Sequence, residues 1–114
     1  MIVGAILLTS KFYYPPLPIQ QMSKKEVVEK GHRSNGQLLK LSTEKNYDWY
    51  IIEEENMETT DEAIKAFVNR YGWNYFQKEG SGLFFKKHGE MLIITTEKWT
   101  RDYTLIKMPV KFNK

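Results

Sequence analysis

Between Trp73 and Met108 four strand-like segments follow one another with very little chain between them. WNYFQ (73–77), GLFFKK (82–87), EMLIITT (90–96) and DYTLIKM (102–108) are rich in aromatic and β-branched residues, as strands are. The turns are KEGS, HG and KWTR. Connections this short join antiparallel neighbours, because a parallel return needs a crossover of a dozen residues or more. The last third of the chain is therefore expected to be a four-strand meander, and whatever precedes it must pack on or beside that sheet.

Upstream, Ser23-Lys24-Lys25-Glu26 has the form of a capping box, with Met22 and Val27 placed as a hydrophobic staple across it. The signals predict a short helix over 24–30, which Gly31 can end in the left-handed conformation. Asn35-Gly36 is a turn dipeptide. QLLKLST (37–43) and YDWYIIE (47–53) then read as two strands joined at TEKN. Thr59-Thr60-Asp61-Glu62 forms a second capping box. Ile64, Phe67, Val68 and Tyr71 fall on one helical face, and Gly72 closes the helix. The predicted order is α-β-β-α-β-β-β-β. This is an α+β, two-layer fold: an antiparallel sheet with the 60–71 helix packed on one face. Pro109 ends the last strand.

The 114 residues suffice for one domain. A hydrophobic content of 41% and an aromatic content of 14% set the chain apart from disordered sequences. It has no cysteine, which excludes disulfide frameworks, thiolate zinc sites, iron–sulfur clusters and a cysteine nucleophile. The formal charge of +3 is too small, and its lysines too scattered, for a nucleic-acid signature. Nucleic acid is not an expected partner.

The first twenty residues, MIVGAILLTSKFYYPPLPIQ, differ from everything after them. Ile2–Leu8 is apolar but far shorter than the roughly 20 residues that span a bilayer, and no positive n-region precedes it. It reads as the outer part of a transmembrane helix, as a strand of the sheet, or as an unpaired tail. The residues that follow favour the first reading. Lys11, Phe12, Tyr13 and Tyr14 resemble a membrane-interface collar, and Pro15, Pro16 and Pro18 impose a stiff extended spacer. The expected organisation is an apolar stub, aromatic collar and proline-rich linker over 1–21, one α+β domain over 22–109, and a tail over 110–114.

Motifs that commit a chain to a reaction are missing. Gly80-Ser81-Gly82 sits in a strand-to-strand loop, where its glycines serve a hairpin rather than a nucleophile elbow. His32 and His88 share no metal-ligand spacing. The acidic run Glu53, Glu54, Glu55, Glu58, Asp61 and Glu62 lacks the pattern of a calcium loop and suits a helix N-terminus. No catalytic residue, metal site or cofactor is expected. Among the aromatic residues, Trp99 with Arg101 in the KWTR turn is the candidate partner or ligand contact, since this pair of residue types is enriched at binding hot spots. The competing reading has Trp99 plugging the end of the sheet.

The strand YDWYII, and then GWNYFQKEGSGLFFKKHGEMLIITTEKWT, carry a resemblance. Over about 37–108 the chain looks like a group of small uncharacterised proteins of Gram-positive bacteria, each with an N-terminal membrane segment and one compact extracytoplasmic domain. The shared motifs (G-W, G-S-G-x-F-F and a strand ending T-x-x-W-T) are structural. The resemblance implies a bacterial cell membrane location with the domain outside, and assigns no catalytic residue.

The leading expectation is a non-enzymatic domain, membrane-tethered or exported, that binds a protein or an envelope component. The first alternative is a small cytosolic ligand-binding domain or enzyme with 1–14 as part of the sheet. The second is an immunity or inhibitor protein that presents the acidic 53–62 band to a basic partner.

Overall fold

In the computed structural model, which describes residues 14–113, two helices pack on one six-stranded antiparallel sheet. The elements are α1 (Lys24–Ser34), β1 (Leu39–Glu44), β2 (Tyr47–Glu53), α2 (Met57–Asn69), β3 (Asn74–Glu79), β4 (Gly82–Lys87), β5 (Glu90–Lys98) and β6 (Tyr103–Pro109). A 3-10 turn, Val110–Asn113, follows. Strand order is β1-β2-β6-β5-β4-β3. The last four strands form the expected meander, and β2 completes the sheet by pairing with β6 over Tyr47–Glu53. The fold is α+β and two-layered.

Alternation along the strands sorts side chains between the two faces. Tyr50, Ile52, Ile106 and Met108 point to one face, where Ile64 and Val68 of α2 pack with Phe85, Leu92 and Ile94. Trp49, Ile51 and Leu105 point to the other, where Val27 of α1 meets them. With both faces covered, β2 is buried along most of its length. By contrast β5 alternates cleanly between buried and exposed.

Both helices differ at their ends from the sequence expectation. The capping box at Ser23 forms, with the Glu26 amide donating to Ser23 Oγ at 3.1 Å and the Ser23 amide to Glu26 Oε1 at 3.0 Å. Yet α1 does not stop at Gly31. That glycine lies within the helix, where an added Cβ would come within 2.7 Å of both Ile51 and Tyr103. Its role is close approach to the sheet, and the left-handed cap falls to Asn35 (φ 51°). Helix α2 starts a turn earlier than the Thr59 box implies. Asn56 is the N-cap, its Oδ1 accepting from the amides of Glu58 (2.8 Å) and Thr59 (3.3 Å). At its other end α2 stops at Asn69 with Arg70 as C-cap, short of the expected close at Gly72, and Gly72, at φ +92°, turns the chain just beyond it.

Two expected boundaries also change. The proline-rich segment is not a free spacer from residue 14 onward: Ile19 is 3% exposed and packs in the α1-side core together with Leu17 and Tyr14. The amides of Gln20 and Gln21 both donate to Glu44 Oε2 at 2.9 Å, and Lys24 Nζ donates to the Tyr14 carbonyl. Prolines forbid a helix here but leave their carbonyls free to accept, so an extended strap can still be tied down. At the other end, residues 110–113 are no frayed tail. Phe112 is buried in the α2-side core, and Trp73 Nε1 donates to its carbonyl at 2.7 Å. Ile2–Leu8, with Lys11, Phe12 and Tyr13 of the collar, lies outside the described residues.

Candidate binding surface

The two residues singled out in the KWTR turn have different surroundings. Trp99 is buried, stacked on Tyr14 with ring centroids 5.1 Å apart, and its Nε1 donates to the Pro15 carbonyl at 2.9 Å. It serves as the seat of the strap, which is the plug reading. Arg101 is exposed and paired with Glu55 at 2.8 Å. That bond lowers the Glu55 carboxyl below its usual range and raises the guanidinium further. Tyr14 of the expected collar lies on Trp99 and is half-buried.

The acidic run is distributed among basic side chains from several elements. Glu53 lies 3.6 Å from His32, Asp61 2.6 Å from Lys78 and Glu62 2.9 Å from Lys65, besides the Glu55–Arg101 pair. Lys98 donates to the carbonyls of Glu54 and Glu55 at 3.0 and 2.8 Å. Among the described residues no group of three His, Cys, Asp or Glu side chains could hold a metal ion, and no helix is long and apolar enough to cross a membrane.

What the sequence reading did not single out is half a sheet face. Among the described residues, the strap and α1 cover the β1–β2–β6 end of their face and leave the β3–β4–β5 end bare. Ile93 (44% exposed), Met91 and Phe76 point outward there. Met91 and Ile93 are neighbours on one face of β5, paired with Lys86 and Phe84 of β4, and β4 lies between them and Phe76 of β3. Phe76 sits at the irregularity between Tyr75 and Gln77, where β3 slips against β4. Toward β2, Tyr47, Met91, Ile93, Thr95, Lys107 and Lys111 are among the residues lining a recess of about 420 Å³. A second recess, of about 400 Å³, shares Tyr47 and Lys107 with it and is walled by Pro18, Gln20 and Gln21 of the strap. Together they form a trough: the sheet is the floor and the strap is one wall.

The lysines of this floor are held by rings and carbonyls. Lys86 Nζ lies 3.7 Å from the Phe76 ring centroid, and Lys107 Nζ 4.1 Å from that of Tyr47. Lys111 Nζ donates to the Met91 carbonyl at 2.8 Å. No carboxylate among the described residues forms an ion pair with these three. Such contacts orient an ammonium group but leave its charge uncompensated. The arrangement can recognise a partner that brings apolar side chains and anionic groups together. In the structure Met91, Ile93 and Thr95 alternate with buried Leu92, Ile94 and Thr96, but the sequence carried no signal of it: Met91–Ile94 is a continuous apolar run, the pattern of a strand covered on both faces.

No protein-family model, curated protein or solved structure matches this chain.

Proposed function

We propose that the protein is a non-catalytic binding domain, carried at or across a bacterial membrane, that holds a protein or envelope component on the bare half of its sheet. One observation carries this reading: Met91 and Ile93 are exposed side by side on β5, with Phe76 exposed two strands away, on a face whose other half is covered. A contiguous apolar patch with a polar rim is the usual mark of an interaction site. The membrane part of the proposal rests on the apolar Ile2–Leu8 run, the collar residues, and the resemblance to membrane-attached domains. The strap supports it mechanically, because Tyr14 and Pro15 are clamped to Trp99 and a pull from residues before 14 would be taken up by the domain.

The surface is tested by placing a photo-crosslinking amino acid at Ile93 in cells, with Ala66 on the exposed side of α2 as control. A discrete crosslinked species from position 93 and none from 66 is the expected result. Equal labelling from both positions overturns the surface assignment. The location is tested by fusing alkaline phosphatase to the C-terminus at the native locus with all upstream sequence retained. Strong activity is expected, and a stable but inactive fusion overturns the placement outside the membrane.

A further inference from the structure

The chemistry of the trough identifies its occupant further. Its centre is aliphatic, with Met91 and Ile93 exposed on β5. Three cations, Lys86, Lys107 and Lys111, flank that centre and have no ion-pair partner among the described residues. One wall is the strap at Pro18, Gln20 and Gln21. We infer that this trough receives an acidic, amphipathic protein segment: apolar side chains against Met91 and Ile93, and carboxylates against Lys86, Lys107 and Lys111.

Each alternative occupant meets a physical obstacle here. A flat anionic bilayer would meet the strap wall at Pro18, Gln20 and Gln21 before it reached the floor of the trough. Single-stranded nucleic acid needs open ring faces for its bases. Here ammonium groups lie against the rings of Phe76 and Tyr47. A second copy of the chain would add three more lysines to the same surface, and like charges so placed repel. A single extended or helical segment can enter a trough with one wall, and acidic residues on it answer the charge of the floor.

The inference rests on the binding reading above, and its test separates the two. The immobilised full chain is used to select from a displayed library of random short peptides. The peptide recovered most often is then synthesised and titrated by fluorescence anisotropy. Selected sequences are expected to intersperse Asp and Glu with large apolar residues. Affinity should fall as salt is raised, since the partner charges meet at a solvent-exposed rim. Lys107→Glu should weaken binding by at least about tenfold, and Ile93→Glu should remove it, while Glu62→Gln on the far side of the sheet leaves it unchanged. Peptides that depend on Ile93 but carry no acidic residues overturn the acidic occupant and leave the binding surface standing. A selection that yields no Ile93-dependent peptide overturns the inference, and the crosslink from position 93 then decides whether the binding surface falls with it. Oligothymidylate, phosphatidylglycerol vesicles or self-association that responds to Ile93→Glu would each reassign the trough and overturn the acidic segment.

Discussion

The two ends of one sheet face make an informative contrast. At the β1–β2–β6 end, Trp49, Ile51 and Leu105 are sealed by α1 and by an extended strap. At the β3–β4–β5 end, Ile93, Met91 and Phe76 occupy equivalent outward positions and have no other described element over them. The side chains themselves differ little in character: apolar and aromatic residues stand in both places. What differs is whether another element reaches them. An apolar side chain is therefore core or contact surface according to the chain that passes above it, and the energetic consequence of replacing it follows from that.

The largest effect is expected where the strap is seated. Trp99→Ala removes a buried ring, its stack on Tyr14 and the bond to the Pro15 carbonyl. It should destabilise by about 4 kcal/mol, the usual cost of losing a buried aromatic. The matching change at the bare end, Ile93→Glu, should shift stability by less than about 1 kcal/mol. Urea unfolding of both variants measures the difference, and equal losses would abolish the contrast. Next is Gly31→Val, which pushes a branched side chain into Ile51 and Tyr103. Overpacking of this kind costs about 2 kcal/mol, less whatever helix propensity returns. A variant as stable as wild type would show that α1 can lift from the sheet without penalty.

A smaller effect concerns pH. Burial, with Asp48 nearby as the second cause, pushes the Tyr50 hydroxyl from 10.0 up to about 12. A raised value in the folded state means that this contribution is intact below pH 10 and is lost as pH rises from 10 toward 12. The urea midpoint should fall over that window, and less steeply in Tyr50→Phe. Tyr103, raised for the same first reason, adds to the slope in the same direction. The smallest effect belongs to Arg101. Arg101→Ala breaks an exposed pair with Glu55 and should leave the urea midpoint where it is, since solvent screens such pairs. A clear drop would give the KWTR turn a structural part beyond seating Trp99.

Much of the fold was legible from local pattern. The strands other than β1 are marked by β-branched and aromatic residues, and the short turns between the last four dictate the antiparallel meander. The capping box at Ser23 and the turn at Gly72 are equally local. The misreadings were of another kind. Gly31 looks like a helix stop in sequence because left-handed caps favour glycine; its actual demand, room for Ile51 and Tyr103, comes from residues far along the chain. The proline-rich segment looks like a spacer, and Phe112 like part of a frayed end. Each is fixed by a tryptophan N–H donated from a distant element, Trp99 to Pro15 and Trp73 to Phe112.

The candidate surface shows the same division. The lysines were visible as types, but the uncovered face of β5 was not, because Met91–Ile94 is apolar at every position. The trough itself needs β2 to lie beside β6 and the strap to end its cover at Tyr47 and Lys107. What the sequence determined by itself was the identity, order and pairing sense of the strands, because period-two patterning and turn chemistry act over a few residues. Only the tertiary structure decided which half of a sheet face stays bare and which aromatic residues are seats rather than contacts. Those outcomes depend on contacts between distant segments, such as Trp99 and Pro15, 84 residues apart, and no local preference encodes them.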